Sequence, residues 1–307
     1  MKLSILIPTH NRRASLERAL KSLAAAEHAG DCEIVVVASA CSDDTAEWLA
    51  AYAGPLHVRS IVEPRPGVSL ARNRGLDAMT GDAVLFLDDD VTVQPDLLKV
   101  YQEALQAYPE YGCFGGTISV CLEGDPPPLI RDVARILPST FSGLWLGDAR
   151  RPIDPAAESP FSANMAVRVE ALAGARFVEA LGRKGNGNLE AGEETLLFEE
   201  MSRKGVKTMW LPEARVSHWI HSGRQTMEYV REYWYQIGVM QIALGHEIPW
   251  YLKRRFGRRF AFQCAYLFNK LMKRPEIWLH AFANLMIYTG HEDSVTGARK
   301  RALARDP

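Results

Sequence analysis

Short apolar runs alternate with helically spaced apolar residues along the first 90 positions. Runs rich in Val, Ile and Leu predict four strands, at Leu3–Ile7, Glu33–Val37, Val58–Val62 and Ala83–Leu87. Predicted helices separate them, at Arg13–Ala26, around Trp48–Tyr52 and at Ser69–Met79. This β-α-β-α-β-α-β order predicts an α/β fold with a mostly parallel sheet. Ligands of such sheets bind beyond the carboxyl ends of the strands.

The pattern is mixed in the rest of the chain. Helices are predicted at Pro95–Tyr108 and Glu193–Lys204, and strands at Cys113–Val120 and Val206–Trp210. Regular structure of unspecified type is predicted at Ser162–Arg168. The proline-rich stretch Glu123–Pro160 is interpreted as an irregular loop with one short helix at Leu129–Leu137. After Thr226 the chain is predicted to be almost wholly helical. We therefore expect a catalytic domain at residues 1–222 and a helical extension at 223–307.

Charge and cysteine content exclude several classes of protein. The 307 residues include 36 Lys and Arg against 37 Asp and Glu, for a net charge of -1. Such a balance disfavours a protein that grips nucleic acid through its phosphates. Five cysteines without C-x-x-C spacing predict neither a disulfide framework nor a zinc cluster and favour a reducing cytoplasm. The longest uncharged stretch near the C-terminus, Ile277–Gly290, is well short of the roughly 20 apolar residues of a membrane span.

The near-neutral total hides a basic segment at residues 249–274. It has several lysines and arginines, no acidic residue, and many interleaved aromatic residues. Three interpretations remain open: helices lying on an anionic membrane surface, a site for an acidic lipid-linked diphosphate sugar, or a solvated face packed on the catalytic domain. The first is favoured. It predicts a cytoplasmic protein that associates peripherally with the inner face of the membrane.

Three adjacent carboxylates, Asp88–Asp90, follow the buried strand Ala83–Leu87. Their mutual repulsion is costly unless a cation or a hydrogen-bond network compensates them. Oxygen ligands suit a hard divalent ion such as Mg²⁺ or Mn²⁺, which would share its remaining positions with a substrate diphosphate. The alternative is a solvated acidic turn that caps the next helix.

Several motifs occur in an order that indicates a known family. They are Ser4–Asn11, Gly67–Gly75, Phe86–Asp90, Ser162–Arg168, Phe177, Gly192–Thr195 and Pro212–His218. With these motifs, about residues 3 to 220 resemble the family 2 glycosyltransferases of the GT-A fold. The resemblance implies a hexosyltransferase of polysaccharide or glycolipid biosynthesis. It would move a sugar from a nucleotide-diphosphate sugar, most simply a UDP-sugar, to a hydroxyl of a saccharide or lipid-linked glycan, with inversion.

The resemblance also implies roles for individual residues on the donor side. Asp90 and His218 would bind the divalent metal, Mn²⁺ or Mg²⁺, and a structural histidine is the alternative for His218. The leaving nucleoside diphosphate gains negative charge, which such an ion stabilises. The residues expected to bind the nucleotide sugar are Pro8, Thr9, Asn11, Ser39, Arg72, Asp88 and Asp89.

On the acceptor side the resemblance points to two adjacent glutamates. Glu194, or else Glu193, would be the base that deprotonates the acceptor hydroxyl, with Asn164 and Met165 binding the acceptor. Carboxylates are also favoured in the first turn of any helix, which is the alternative explanation for this pair.

One departure affects the donor base. Ala38 stands where the family usually has an Asp that hydrogen-bonds the nucleobase. Three possibilities remain open: Ser39 or a backbone group contacts the base, Asp43 takes the role of the missing carboxylate, or the nucleotide is not uridine. The departure also supports the alternative function, a catalytically altered nucleotide- or carbohydrate-binding module of the same fold. A nucleotidyltransferase is disfavoured, because the segment Ile7–Arg12 lacks the glycines of a G-x-G-T-R-L motif.

Overall fold

The structure is a computed structural model, which describes residues 1–154, 158–182, 192–243 and 275–303. Its strands are β1 Leu3–Thr9, β2 Glu33–Ser39, β3 Val58–Glu63, β4 Ala83–Leu87, β5 Val91–Val93, β6 Cys113–Leu122, β7 Arg151–Ile153, β8 Asn164–Arg168 and β9 Thr208–Ile220. Its α-helices are α1 Arg13–Ala24, α2 Thr45–Ala50, α3 Val68–Ala78, α4 Leu97–Ala107, α5 Pro128–Ile136, α6 Val169–Leu172, α7 Glu193–Arg203, α8 Met227–Ala243 and α9 Pro275–Leu303.

One half of the sheet is parallel and has the strand order β3-β2-β1-β4. Leu6 of β1 pairs with Val35 of β2 on one side and with Phe86 of β4 on the other. Helices cover both faces, so all seven residues of β1 and all five of β4 are buried. The predicted alternation of strands and helices in this part of the chain is confirmed. The mainly apolar runs of β1, β2 and β4 reflect burial on both faces, whereas β3, at the edge of the sheet, is largely exposed.

The other half of the sheet is antiparallel, so the sheet as a whole is mixed. β8 pairs antiparallel with β4 and β6, while β5 and β7 pair antiparallel with β9. β9 covers 13 residues, whereas the sequence predicted a strand only at Val206–Trp210. Pro212 and partly exposed polar residues interrupt its apolar pattern, which hid its second half. The predicted α/β class is confirmed.

The core consists of two apolar clusters, one on each face of the sheet. Ile5 and Ile7 of β1 belong to the cluster under α1 and α4, and Leu6 belongs to the cluster under α3 and α7. Helix α3 approaches β1 so closely that a Cβ at Gly75 would lie 2.0 Å from Leu6 Cδ1. A glycine at this position lets α3 pack against the end of the sheet that carries the polar motifs.

The chain divides into two compact units. The first contains the sheet and its flanking helices, and the second contains Leu122–Phe141 together with the described residues from His221 onwards. Within the second unit α8 and α9 pack closely, because a Cβ at Gly238 or at Gly290 would lie 2.1 Å from a backbone oxygen of the other helix. No helix in the described ranges combines the length and apolarity needed to cross a bilayer. The basic segment 249–274 lies outside the described residues.

Candidate active site

Three carboxylates occupy the exit of β4, at the carboxyl end of the parallel strands. Asp89 and Asp90 are buried, and Asp88 is partly exposed. β1 is the parallel neighbour of β4, and its last residue, Thr9, donates a hydrogen bond from Oγ1 to Asp89 Oδ2 over 2.7 Å. Carboxylates this close and this buried require cations beside them.

Asp88, Asp90 and His218 form a candidate metal site, in which one ligand atom from each lies within 4.8 Å of the others. His218 reaches the carboxylates because β9 pairs with β5, which places His218 opposite Val91. Its Nε2 lies 3.0 Å from Asp90 Oδ1. Two carboxylates and an imidazole fit Mn²⁺ or Mg²⁺. The structure thus brings the two predicted ligands together and adds Asp88, which the motifs had linked to the nucleotide.

Arg12 lies against the same carboxylates and was not identified from the sequence. Its Nη1 is 3.1 Å from Asp89 Oδ1 and 2.7 Å from Asp90 Oδ2. Burial raises the pKa of Asp89 to about 6, with a further upward contribution from the charge of Asp90, while Arg12 and the Thr9 hydroxyl act in the opposite direction. Arg12 therefore supplies part of the positive charge that this acidic cluster needs.

Arg72 supplies a second buried cation, between the exit of β4 and the start of α7. Its Nη2 donates to Asp88 Oδ1 over 3.1 Å, and its Nη1 donates to Glu193 Oε1 over 3.2 Å. The guanidinium also stacks over the ring of Phe177, with 5.2 Å between Cζ and the ring centroid. Arg72 thus connects a candidate metal ligand to one of the two predicted bases.

Glu194 is held by a different set of partners at the start of α7. Its Oε1 accepts a hydrogen bond from the backbone N of Ser162 over 3.0 Å and another from the Ser162 hydroxyl. Arg72 Nη2 lies 3.7 Å from the same oxygen. Burial raises the pKa of Glu194 to about 7 and the charge of Glu193 adds to the shift, while Arg72 and Ser162 limit it. A carboxylate with such a pKa can accept a proton near neutral pH.

Three other residues predicted to bind the nucleotide lie in the same region. Pro8 is buried in β1. Ser39 ends β2, and its hydroxyl donates to Arg65 O over 3.0 Å. Asn11 adopts a left-handed conformation (φ 52), and its Oδ1 accepts from the backbone N of Ser42 over 2.7 Å. Asn11 therefore links the loops that follow β1 and β2. The Ser39 hydroxyl already has a hydrogen-bond acceptor within the protein.

The structure gives Asn164 and Met165 a structural position, and their role as acceptor ligands stays a prediction that this position disfavours. Both are completely buried. Asn164 donates to Thr117 O and Ala214 O over 3.0 and 2.8 Å, and its Oδ1 accepts from the Tyr101 hydroxyl over 2.8 Å. These bonds join β8 to β6 and β9. Neither side chain reaches a surface that an acceptor could touch.

Comparisons with known proteins agree with this architecture. The sequence profile of "Glycosyl transferase family 2" matches residues 4–172. The chain is 24% identical over 173 residues to the glucosyl-dolichyl phosphate glucuronosyltransferase of Haloferax volcanii, a match that covers 55% of this chain and 53% of the relative. It is 39% identical over 98 residues to a PGL/p-HBAD biosynthesis glycosyltransferase of Mycobacterium bovis, covering 31% of this chain and 38% of that protein.

A solved structure shares the fold along almost the whole chain. Staphylococcus aureus TarS 1–349 in complex with UDP-GlcNAc superposes with a TM-score of 0.57 at 16% identity, over 98% of this chain and 92% of that one. The likeness confirms the predicted GT-A fold. The matched region spans about half, or less, of the curated relatives. Since the family profile covers more than half of the residues and the site carries the family's motifs, the chain belongs to glycosyl transferase family 2.

Proposed function

We propose that the protein transfers a sugar from a nucleoside-diphosphate sugar to a hydroxyl group of a saccharide or lipid-linked glycan. The proposal includes inversion at the anomeric carbon and dependence on Mn²⁺ or Mg²⁺. Its main support is the convergence of Asp88, Asp90 and His218 in a chain of this family. Arg72 contacts Asp88 of that cluster and also lies near Glu194. The groups proposed to act on the donor are therefore adjacent to the group proposed to act on the acceptor.

The donor half of the proposal concerns negative charge. Asp88, Asp90 and His218 would hold the divalent ion, which when bound supplies positive charge for the departing nucleoside diphosphate without a proton transfer. Arg72 keeps Asp88 in place, and Thr9 does the same for Asp89. These contacts fix the carboxylates before substrate arrives, which lowers the cost of ordering them during the reaction.

The acceptor half concerns a single proton. We assign the base to Glu194, because its pKa of about 7 lets it accept the proton of an attacking hydroxyl near neutral pH. Ser162 fixes one carboxylate oxygen through two hydrogen bonds. Glu193 forms the closer ion pair with Arg72, at 3.2 Å against 3.7 Å, which makes it the less available of the two. Attack from the face opposite the diphosphate would invert the anomeric carbon.

We propose UDP as the nucleotide. TarS has been solved with UDP and with UDP-GlcNAc, which supports this choice by likeness of fold. Ala38 removes the carboxylate expected to meet the base, and the Ser39 hydroxyl already donates to Arg65 O. Recognition of uracil would then depend on backbone groups rather than on a side-chain carboxylate.

A thermal-shift panel tests the donor. The full chain is heated with UDP, GDP or dTDP, each with Mn²⁺ or with EDTA. We expect UDP with Mn²⁺ to raise the unfolding temperature most, because a ligand that binds only the folded state stabilises it. Equal shifts in EDTA would refute the metal requirement. Nucleotide binding without release of UDP from any UDP-sugar would instead favour the altered binding module.

We also propose a lipid-linked acceptor and peripheral contact with the inner, cytoplasmic face of a membrane. The support is the basic and aromatic composition of residues 249–274, together with a relative whose name specifies a dolichyl phosphate substrate. Sedimentation with anionic phosphatidylglycerol vesicles at low salt should recover the protein in the pellet, and zwitterionic vesicles should not. Equal recovery with both lipids, or none with either, would refute the electrostatic contact.

A further inference from the structure

Arg12 lies against Asp89 and Asp90, the two buried carboxylates of the acidic cluster. Its Nη1 contacts one oxygen of Asp89 and one oxygen of Asp90, at 3.1 and 2.7 Å. The other oxygen of Asp90 lies 3.0 Å from His218 Nε2. Both oxygens of Asp90, a candidate metal ligand, are therefore in contact with protein groups. A divalent ion bound by Asp90 Oδ1 and His218 Nε2 would lie next to the guanidinium on the other oxygen of Asp90, and the two cations would repel each other.

The local charges explain why Arg12 adopts this position. Asp89 and Asp90 are almost fully buried, and a buried carboxylate without a cation is strongly destabilising. Arg72 compensates Asp88, at the other end of the cluster. Arg12 is the cation that the described residues place against both Asp89 and Asp90.

The backbone of Arg12 is fixed by a helical hydrogen bond, whereas its side chain is partly exposed. Its backbone O accepts a hydrogen bond from Leu16 N over 3.0 Å, in the first turn of α1. Its side chain is 29% exposed, although the guanidinium lies against carboxylates that are nearly inaccessible. The side chain can therefore move towards solvent by rotation about its own bonds while the backbone of α1 stays in place.

We propose that Arg12 is a resident counter-ion of the metal site, which competes with a divalent ion for the charge of Asp90 and is displaced from this carboxylate when the ion binds. This inference rests on the proposed function, which requires a metal at Asp88, Asp90 and His218. Arg12 stabilises the carboxylates in the metal-free protein and for the same reason weakens binding of the free ion. A donor diphosphate offers the displaced guanidinium new oxygen partners, so the ion and the nucleotide should bind cooperatively.

The test measures the affinity of the full chain for Mn²⁺ alone, by electron paramagnetic resonance of the free ion. Arg12→Gln removes the competing charge. The matched control is Arg13→Gln, which makes the same change in charge one residue away, where Arg13 pairs with the exposed Asp44. We expect Arg12→Gln to bind Mn²⁺ about tenfold more tightly than wild type, which corresponds to about 1.4 kcal/mol. Arg13→Gln should stay within about twofold of wild type, because exposed ion pairs contribute little.

Thermal unfolding gives an independent readout. In EDTA, Arg12→Gln should unfold several degrees below wild type, because Asp89 and Asp90 lose their cation. Saturating Mn²⁺ should recover most of that loss in Arg12→Gln and should stabilise wild type less. If Arg12→Gln fails to fold, Arg12→Lys replaces it. A lysine ammonium is more strongly hydrated than a guanidinium and leaves the carboxylates for solvent more readily, so the Mn²⁺ affinity of this variant should exceed that of wild type.

Equal or weaker Mn²⁺ binding in Arg12→Gln would overturn the displacement and leave the proposed function standing. An equal gain in Arg13→Gln would also overturn it, because the effect would then come from overall charge. If neither wild type nor variant binds Mn²⁺, the proposed metal dependence and the proposed displacement of Arg12 are both refuted. Tighter binding in Arg12→Gln, in a protein that transfers no sugar, would support the displacement and refute only the transferase.

Discussion

Glu194→Gln is the sharpest test of the proposed base, because it changes shape very little. Glutamine keeps the length of the side chain, and its amide oxygen can still accept the hydrogen bond from the backbone N of Ser162. It cannot take up a proton. Binding of UDP and Mn²⁺ should therefore stay close to that of wild type, while the rate of sugar transfer falls.

The magnitude follows from the role and from the pKa. A positioned general base contributes roughly 10²- to 10⁴-fold to a rate, so Glu194→Gln should lose about 3–5 kcal/mol of transition-state stabilisation. The base is active when deprotonated, so activity is lost as the pH falls through its pKa. With a pKa of about 7, the fraction of Glu194 ionised falls about tenfold between pH 8 and pH 6. The wild-type rate should fall by the same factor.

The assay is release of UDP at saturating concentrations of whichever UDP-sugar gives turnover, measured from pH 5.5 to 8.5. Glu194→Gln should show a low rate that does not fall further at acidic pH, so its pH–rate profile should lack the acidic limb seen in wild type. Glu193→Gln is the matched control, because Glu193 is adjacent and pairs with Arg72 through Nη1. It should keep the limb. A wild-type rate in Glu194→Gln would refute the assignment, and loss of the limb only in Glu193→Gln would move the base to that residue.

Three further predictions concern the groups around the base and the metal. Asp90→Ala should abolish the thermal shift given by UDP with Mn²⁺, and an undiminished shift would exclude Asp90 as a ligand. Ser162→Ala removes a hydrogen bond that lowers the pKa of Glu194, so the midpoint of the pH–rate profile should move to higher pH; a fixed midpoint would contradict this. Gly75→Ala should lower the free energy of unfolding in urea by about 1–3 kcal/mol, because its methyl group would overlap a leucine of β1. Gly30→Ala, with no atom within 4 Å, should change it by less than about 0.5 kcal/mol, and equal effects would refute the packing argument.

The parallel half of the sheet was predictable because burial on both faces leaves a plain signal. β1 and β4 are continuous apolar runs, and helices of regular periodicity separate the first four strands. The antiparallel half was less predictable. β5 has three residues, which is too short for a period, and Pro212 interrupts the apolar run of β9. Strands of that kind are defined by their partners more than by their own composition.

Residues that are adjacent in sequence were the predictable part of the site. Asp88–Asp90 and the pair Glu193 and Glu194 stand out because several like charges share one short segment. Asn164 shows the opposite case, since it occurs in a family motif and yet makes only internal hydrogen bonds in this structure. A motif indicates that a residue matters to the fold or to the chemistry. Asn164 is held by hydrogen bonds to backbone groups of the sheet, whereas Asp90 and His218, which are almost as buried, face each other at the exit of β4.

Arg12 and Ser162 were missed because their partners are far away in sequence. Arg12 lies 77 residues from Asp89, and Ser162 lies 32 residues from Glu194. For Arg12 a usable signal existed all the same. Buried carboxylates require a cation, and the exit of β1 lies beside the exit of β4 in any parallel sheet with this strand order. The basic residues that follow β1 were therefore the first candidates, and charge balance could have identified the counter-ion before any side chain was placed.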